Sequence, residues 1–387
     1  MLVVPRTGVA LGALSLACFA SVTSENLPVA LLPQLAAGLD VAESSVGLLM
    51  TGYAVVVAVS VVPLVAWTAR HDRRTTALVT ILLVVGSNLL LAVAPNYGVA
   101  VAARLVAALG HGVFWAVVAA MAARLLGPGR GGRATAVVFA GNSLAFLFGL
   151  PLSSWLGATL GWRLAVLVVA GVAALAALGI RVTVGPTPPL EPPARGSVRR
   201  VVTDRALRPV NLTTLLVVTG HFAAFTYITA IIADYVHLTG SATSTLLFAH
   251  GLAGLAGLVL IGRHVDGRPQ ATALVTTGGL AVCMLVLLVA GPGVLAGGAV
   301  VLWAAPAAGI GVVLQAAVLR VATTQPDLAS AVYIVAFQIG IALGAALGGF
   351  SLDHGALPLT VVIAAGCGLA ASVVVRRSKA FKPGSAR

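Results

Sequence analysis

Thr76-Ala77-Leu78-Val79-Thr80 recurs as Thr272-Ala273-Leu274-Val275-Thr276, 196 residues further on (272 less 76). That offset is close to half of the 387-residue chain. Each copy follows a short basic turn, Arg70-His71-Asp72-Arg73-Arg74 in one case and Gly262-Arg263-His264-Val265-Asp266-Gly267-Arg268 in the other. Each also opens the third apolar run of its half of the chain. Five residues alone carry little weight in so Val/Ala-rich a sequence. Their matched position carries more, and it points to an internal duplication.

Working outward from the two copies, the chain reads as twelve apolar runs, at about 8–34, 45–68, 75–95, 98–125, 132–158, 162–183, 209–236, 243–263, 271–290, 294–321, 328–351 and 356–375. A helix needs roughly 20 such residues to cross the hydrocarbon of a bilayer. Composition agrees, with 59% of residues hydrophobic, 9% charged and a mean hydropathy of +1.07. Soluble domains carry about 25% charged residues. A soluble enzyme or scaffold is therefore excluded, because no polar coat is available to cover this much apolar surface.

The net charge of +13 does not indicate nucleic acid as a partner, because the bases sit in short loops between apolar runs. Of the 23 Lys and Arg residues, all but Arg104 and Arg163 fall in alternate loops or at the termini. The opposite loops hold Asp40, Glu43, Asp234 and Asp353. This bias predicts an inner (plasma) membrane protein with both termini in the cytoplasm. Residues 185–208, which begin Gly185-Pro186-Thr187-Pro188-Pro189 and continue with five arginines, read as a linker. The expected fold is an all-α polytopic membrane protein. Its twelve transmembrane helices would form two six-helix bundles, residues 1–184 and 209–387, the second ending in a basic tail.

The first run begins near Arg6 but is too long for a signal peptide, and it contains Glu25 and Pro28. Cys18, Cys283 and Cys367 lie in apolar runs without metal-ligand spacing and read as packing residues. Metal sites, phosphate-binding loops and nucleophile–base pairs are not expected. Nor is a cofactor, an enzymatic activity or ATP as energy source.

Within the first run stands Thr23-Ser24-Glu25-Asn26-Leu27-Pro28, and Glu25 is the one acid placed well inside an apolar helix. A carboxylate there is costly unless it is protonated, paired or facing water. Two readings stand: a titrating group lining a cavity, or a group near the outer mouth that reaches water. Pro28 lies one turn beyond and removes a backbone donor.

Several stretches resemble twelve-helix major facilitator transporters of the drug:proton antiporter type, especially the arabinose-efflux-like branch. Thr23-Ser24-Glu25 with Leu31-Leu32-Pro33 resembles the first helix of that branch, and Arg104 through Gly110-His111-Gly112-Val113-Phe114 its fourth. Gly141-Asn142-Ser143-Leu144-Ala145 with Gly149-Leu150-Pro151-Leu152 resembles the antiporter motif of helix 5, and Asp327-Leu328-Ala329-Ser330-Ala331 with Gly340 to Gly344 resembles helix 11. The first basic turn departs from the pattern: Ala69 takes the slot of an aspartate, and Asp72 stands where glycine is usual.

The resemblance implies a secondary transporter that moves a small, partly hydrophobic molecule (a drug, metabolite or sugar) by alternating access. Proton-coupled efflux is the leading expectation and an uncoupled facilitator or importer the alternative. It implies protons, a small-molecule substrate and the lipid bilayer as partners, and a monomer. Glu25, Arg104 and His111 are the expected proton-coupling residues. Arg104 could otherwise snorkel to headgroups, and His111 could simply pack between Gly110 and Gly112.

Asn142, His221, Phe225, Gln315 and Gln338 are the expected substrate-binding residues; the rival reading for each is packing or helix–helix hydrogen bonding, as for His250. Arg70, Arg73, Arg74, Gly262, Asp266 and Arg268 are the expected gating residues. Gly141, Gly149 and Pro151 are read as a close-packing, rocking surface between the halves. Gly251/Gly254/Gly257 and Gly340/Gly344/Gly348 are similar stripes. Trp67, Trp162 and Trp303 are expected to be interfacial anchors.

Overall fold

The computed structural model describes residues 4–68, 70–126, 131–188, 203–322 and 326–382. Ala69, Arg130 and the bulk of the expected linker, 189–202, lie outside the described residues. The helices are α1 (Val4–Glu25), α2 (Glu43–Thr68), α3 (Arg73–Ala92), α4 (Tyr97–Leu126), α5 (Gly131–Leu144) and α6 (Trp162–Thr183). The second series is α7 (Arg208–Phe225), α8 (Ser241–His264), α9 (Pro269–Val289), α10 (Val294–Val321), α11 (Pro326–Asp353) and α12 (Leu357–Arg377). Among the described residues ten helices are long and apolar enough to cross a membrane, or eleven with the bent α7 pair counted as one span. The remaining apolar run continues from α5 through a wide turn at Ala145–Gly149 into a helix at Leu150–Thr159.

The chain groups into two compact units, residues 1–41 with 59–193, and residues 42–58 with 194–387. The first half of α2 thus groups with the second unit. In unit 1, α1 packs on α5 and α6, and α3 packs on α4 and α6. In unit 2, α7 packs on α11 and α12, and α9 packs on α10 and α12. These four pairings take the same order in the two units, as a duplication predicts.

The repeated pentapeptide performs the same local task in both copies. Thr76 donates both its N–H (2.9 Å) and its hydroxyl (3.0 Å) to the Asp72 carbonyl. Thr272 does the same to the Arg268 carbonyl, at 3.0 Å and 3.1 Å. A hydroxyl bonded back one turn occupies itself locally and leaves no polar group facing lipid.

Three of the spans are not straight. α1 stops at Glu25 and resumes as Leu27–Ala30 and Leu32–Leu39. α5 carries the wide turn, which inserts an extra residue into the ladder. α7 stops at Phe225, and the chain beyond it is turned by 57°. Tyr227 occupies that bend, fully buried, with its hydroxyl donated to the Ala345 carbonyl at 3.1 Å. Gly47 of α2 and Gly348 and Gly349 of α11 leave room for its ring. This contact ties the first half of α2 into unit 2.

The glycine stripes are sites of close backbone approach. A Cβ at Gly141 would overlap the Ser15 carbonyl, one at Gly149 the Thr23 side chain, and one at Gly157 the Leu31 side chain. The stripe therefore packs the fifth span onto the first span of its own unit. Pro151 starts the buried face of Leu150–Thr159 in the same packing. Gly340, Gly344 and Gly348 likewise let α11 approach α7, and Gly257 lets α8 approach α10. Two tryptophan expectations fail. Trp303 is fully buried in the middle of α10, and Trp162 is 6% exposed with Arg163 stacked 4.2 Å over its ring. Only Trp67 of the three is exposed.

Gly141→Val tests the stripe. The added side chain has no space against α1, so folded protein should be largely lost. Size-exclusion profiles of the detergent-solubilised variant check this, with Gly171→Val, where a Cβ meets nothing within 4 Å, as the neutral control.

Candidate functional site

The break in α1 follows from two residues. Pro28 has no N–H, so the Ser24 carbonyl one turn before it has no helical partner. Val29 then donates to the Asn26 carbonyl at 3.0 Å instead of to Glu25, which frees the Glu25 carbonyl as well. Two adjacent buried carbonyls need donors. Arg104 of α4 supplies both, with Nη1 2.7 Å from the Ser24 carbonyl and Nη2 2.7 Å from the Glu25 carbonyl. The guanidinium is a planar fork that matches two acceptors side by side. Arg104 is fully buried, so it does not snorkel to headgroups. Asn88 of α3 completes the seam, donating to the Ser24 hydroxyl at 2.8 Å.

The fixed break aims the Glu25 side chain at α4. Its Oε2 lies 3.7 Å from Nε2 of His111, and the two side chains are 13% and 6% exposed. His111 and Trp115 share a face of α4, and the Trp115 indole N–H donates to the same Nε2 at 3.0 Å. Glu25, Arg104 and His111 are thus brought together. The sequence reading missed Trp115, although its spacing of four from His111 was the available signal.

In unit 2 a second group forms where α7, α8 and α10 meet. His221 stacks on Phe225 at 5.0 Å between ring centres, and Phe225 stacks on His250 at 6.2 Å. Trp303 meets all three rings edge-on. Its N–H donates to His221 Nδ1 at 3.1 Å, and His250 Nδ1 lies 2.7 Å from the Val300 carbonyl. The tautomers follow: the His221 hydrogen is on Nε2, while His250 keeps its own on Nδ1 and an acceptor at Nε2. His221 and Phe225 are buried and do not face lipid.

The other expected substrate residues are dispersed. Asn142 is half-buried beside Gly141. Gln315 donates to the Ser330 hydroxyl at 2.7 Å, a bond between α10 and α11. Gln338 is 5% exposed, and its side-chain oxygen is sealed without a hydrogen-bond partner. Among the described residues no group of three or more His, Cys, Asp or Glu could hold a metal ion.

The basic turns take different local roles. Asp72 caps α3 by accepting from Thr75 N–H at 2.8 Å, and its other oxygen accepts from Thr187 N–H at 2.6 Å. Arg73 N–H donates to the Thr187 carbonyl at 2.9 Å, Arg74 donates to the Arg181 carbonyl, and Arg124 to the Pro188 carbonyl at 2.9 Å. The start of the linker is thereby fastened to unit 1. Arg70 is exposed. In unit 2, Gly262, Asp266 and Arg268 are exposed, and Arg320 of α10 reaches the neighbouring Val265 carbonyl at 3.4 Å. Burial pushes the Asp72 carboxyl up, but the Thr75 and Thr187 N–H bonds, the Thr75 hydroxyl and Arg74 outweigh it and hold the group below its ordinary 3.8.

The family model of the major facilitator superfamily matches residues 14–326. The chain belongs to this superfamily. It is a multi-pass membrane transporter with the major facilitator fold, not an enzyme. A chloramphenicol efflux pump of Mycobacterium tuberculosis (strain H37Rv) is 39% identical over 380 residues, covering 94% of this chain and 90% of that protein. A probable sugar efflux transporter of Helicobacter pylori (strain G27) is 31% identical over 339 residues, covering 86% of each. Among solved structures, the human organic anion transporter MFSD10 superposes with a TM-score of 0.75 at 18% identity, covering 95% of this chain and 99% of that one.

Two outcomes test this geometry. Arg104→Gln leaves two buried carbonyls short of donors, at about 1–3 kcal/mol each, and should lower the melting temperature of the purified protein. Pro28→Ala restores the missing N–H, so the same substitution should cost less in a Pro28→Ala background. Separately, the lowered Asp72 value means that its linker contact holds above pH 3.8 and is lost only as pH falls through that lowered value. Limited proteolysis near residue 190 should accordingly be unchanged from pH 8 to pH 5 in the wild type, and faster throughout that range in Asp72→Asn.

Proposed function

We propose that this chain is a proton-coupled exporter of small, partly hydrophobic molecules, working by alternating access. The observation that carries the reading is the Glu25–His111 pair, 3.7 Å apart and almost sealed, at a break in α1 that Arg104 holds open. Ionisable side chains inside a membrane span are costly and mark ion or proton pathways more often than lipid-facing surface. A proton held there and a bound substrate would each favour a different state of the transporter, which is sufficient for coupling. The chain would be monomeric in the plasma membrane, with both termini in the cytoplasm, as the distribution of bases supports.

The relatives that name a substrate support a first choice of class. A chloramphenicol efflux pump and a probable sugar efflux transporter are both similar over most of the chain. The identity to the former is higher, and an aromatic wall suits a ring-bearing drug better than a sugar. Amphenicols are therefore the first substrates to test. His221 and Phe225 would supply such a wall in unit 2, and Gln338, with its sealed oxygen, an acceptor. Gln315 is engaged by Ser330 and Asn142 is half-buried, so both are secondary candidates.

The test is chloramphenicol-dependent proton flux in proteoliposomes. Wild-type protein should exchange drug for protons and accumulate drug against its gradient. Glu25→Gln should lose at least about ten-fold of the coupled flux while remaining folded. Coupling that survives in a well-folded Glu25→Gln variant rejects the role of Glu25, and drug equilibration without proton movement supports an uncoupled facilitator instead.

A further inference from the structure

We propose that Trp115 is the positioning residue that makes the proton site release its proton, by competing with the proton for Nε2 of His111. The inference rests on reading Glu25 and His111 as that site. It begins from a conflict on one atom. Nε2 of a neutral imidazole has either a lone pair or a hydrogen, never both. Trp115 can only donate, because an indole nitrogen has no lone pair to offer. Its N–H stands 3.0 Å from Nε2, so in this arrangement Nε2 is an acceptor and the hydrogen of His111 is on Nδ1. The Glu25 oxygen 3.7 Å away calls for the reverse, a hydrogen on Nε2 directed at the carboxylate. The two partners require different states of His111, and the shorter contact belongs to Trp115.

The step balances simply. A proton from water binds the Nε2 lone pair, the Trp115 hydrogen bond breaks, and the new N–H donates to Glu25. On release the proton returns to water and the indole bond reforms. The indole is placed to return. It lies four residues along the same helix, with its ring 6.1 Å from the imidazole, edge-on to Phe114 and packed against the core of unit 1. Two charged groups act on His111, Glu25 from α1 and Arg104 from its own helix. α3 and α5 also pack on α4. The charged side chains described on α3, Arg73 and Arg74, stand in its first turn by the linker, and the described side chains of α5 include none that is charged.

Trp115→Phe keeps the ring and removes the donor. The pH midpoint of drug–proton exchange should move up by about half to one unit, the worth of one neutral hydrogen bond. His111→Gln should flatten the pH profile, and adding Trp115→Phe to it should change nothing further. A midpoint that stays in place in Trp115→Phe, while His111→Gln flattens the profile, overturns the role of Trp115 alone. A wild-type profile in His111→Gln overturns the proton-site reading itself. Should Trp115→Phe fail to fold, the indole N–H resonances of the labelled wild-type chain decide. One of them, displaced in His111→Gln, should shift on acidification with the midpoint of transport, and pH-independent resonances would overturn the proposal.

Discussion

The arginine fork on a broken helix is the contact on which unit 1 depends. Pro28 makes the break, and Arg104 satisfies the carbonyls it exposes. In water, an orphaned carbonyl would find solvent. In a bilayer it must find a protein donor, which is why a fully buried arginine is tolerated here. Its positive charge is placed at the C-terminal end of α1, where the helix dipole is negative. The same break turns the Glu25 side chain toward His111. The carbonyls that Arg104 satisfies and the Glu25–His111 pair therefore belong to one connected group of atoms.

Unit 2 solves the corresponding problem differently. α7 also breaks near its middle, yet no proline causes it and no charged group fills it. Tyr227 occupies the bend with a single hydroxyl bond, and three glycines make room for the ring. In unit 2, two histidines are held instead by hydrogen bonds with Trp303 and the Val300 carbonyl. A duplicated fold thus carries an ionisable centre in one half and an aromatic, hydrogen-bonding one in the other.

The apolar spans and the broad family were legible because the bilayer imposes them. Length and apolarity define a span, and the loop bases define its neighbours. The glycine stripes were legible as close contacts but not as to their partner. Periodicity shows that a face is small, whereas what lies against it depends on how helices are arranged, and Gly141 turned out to face α1. Trp303 was misread because aromatic residues near helix ends usually anchor at headgroups, and a buried hydrogen-bond acceptor such as His221 leaves no trace in the local sequence.

The sequence by itself determined that this chain lives in a membrane, that its two halves are related and that Glu25 is anomalous. Each is a property of composition or spacing along the chain. Only the tertiary structure decided what Arg104 and Glu25 touch. Their partners are 80 and 86 residues away, at Ser24 and His111 respectively. In a chain where nearly every helix face is apolar, local pattern cannot say which faces meet. It takes packing in three dimensions to bring one carboxylate, one imidazole and one indole to the same nitrogen.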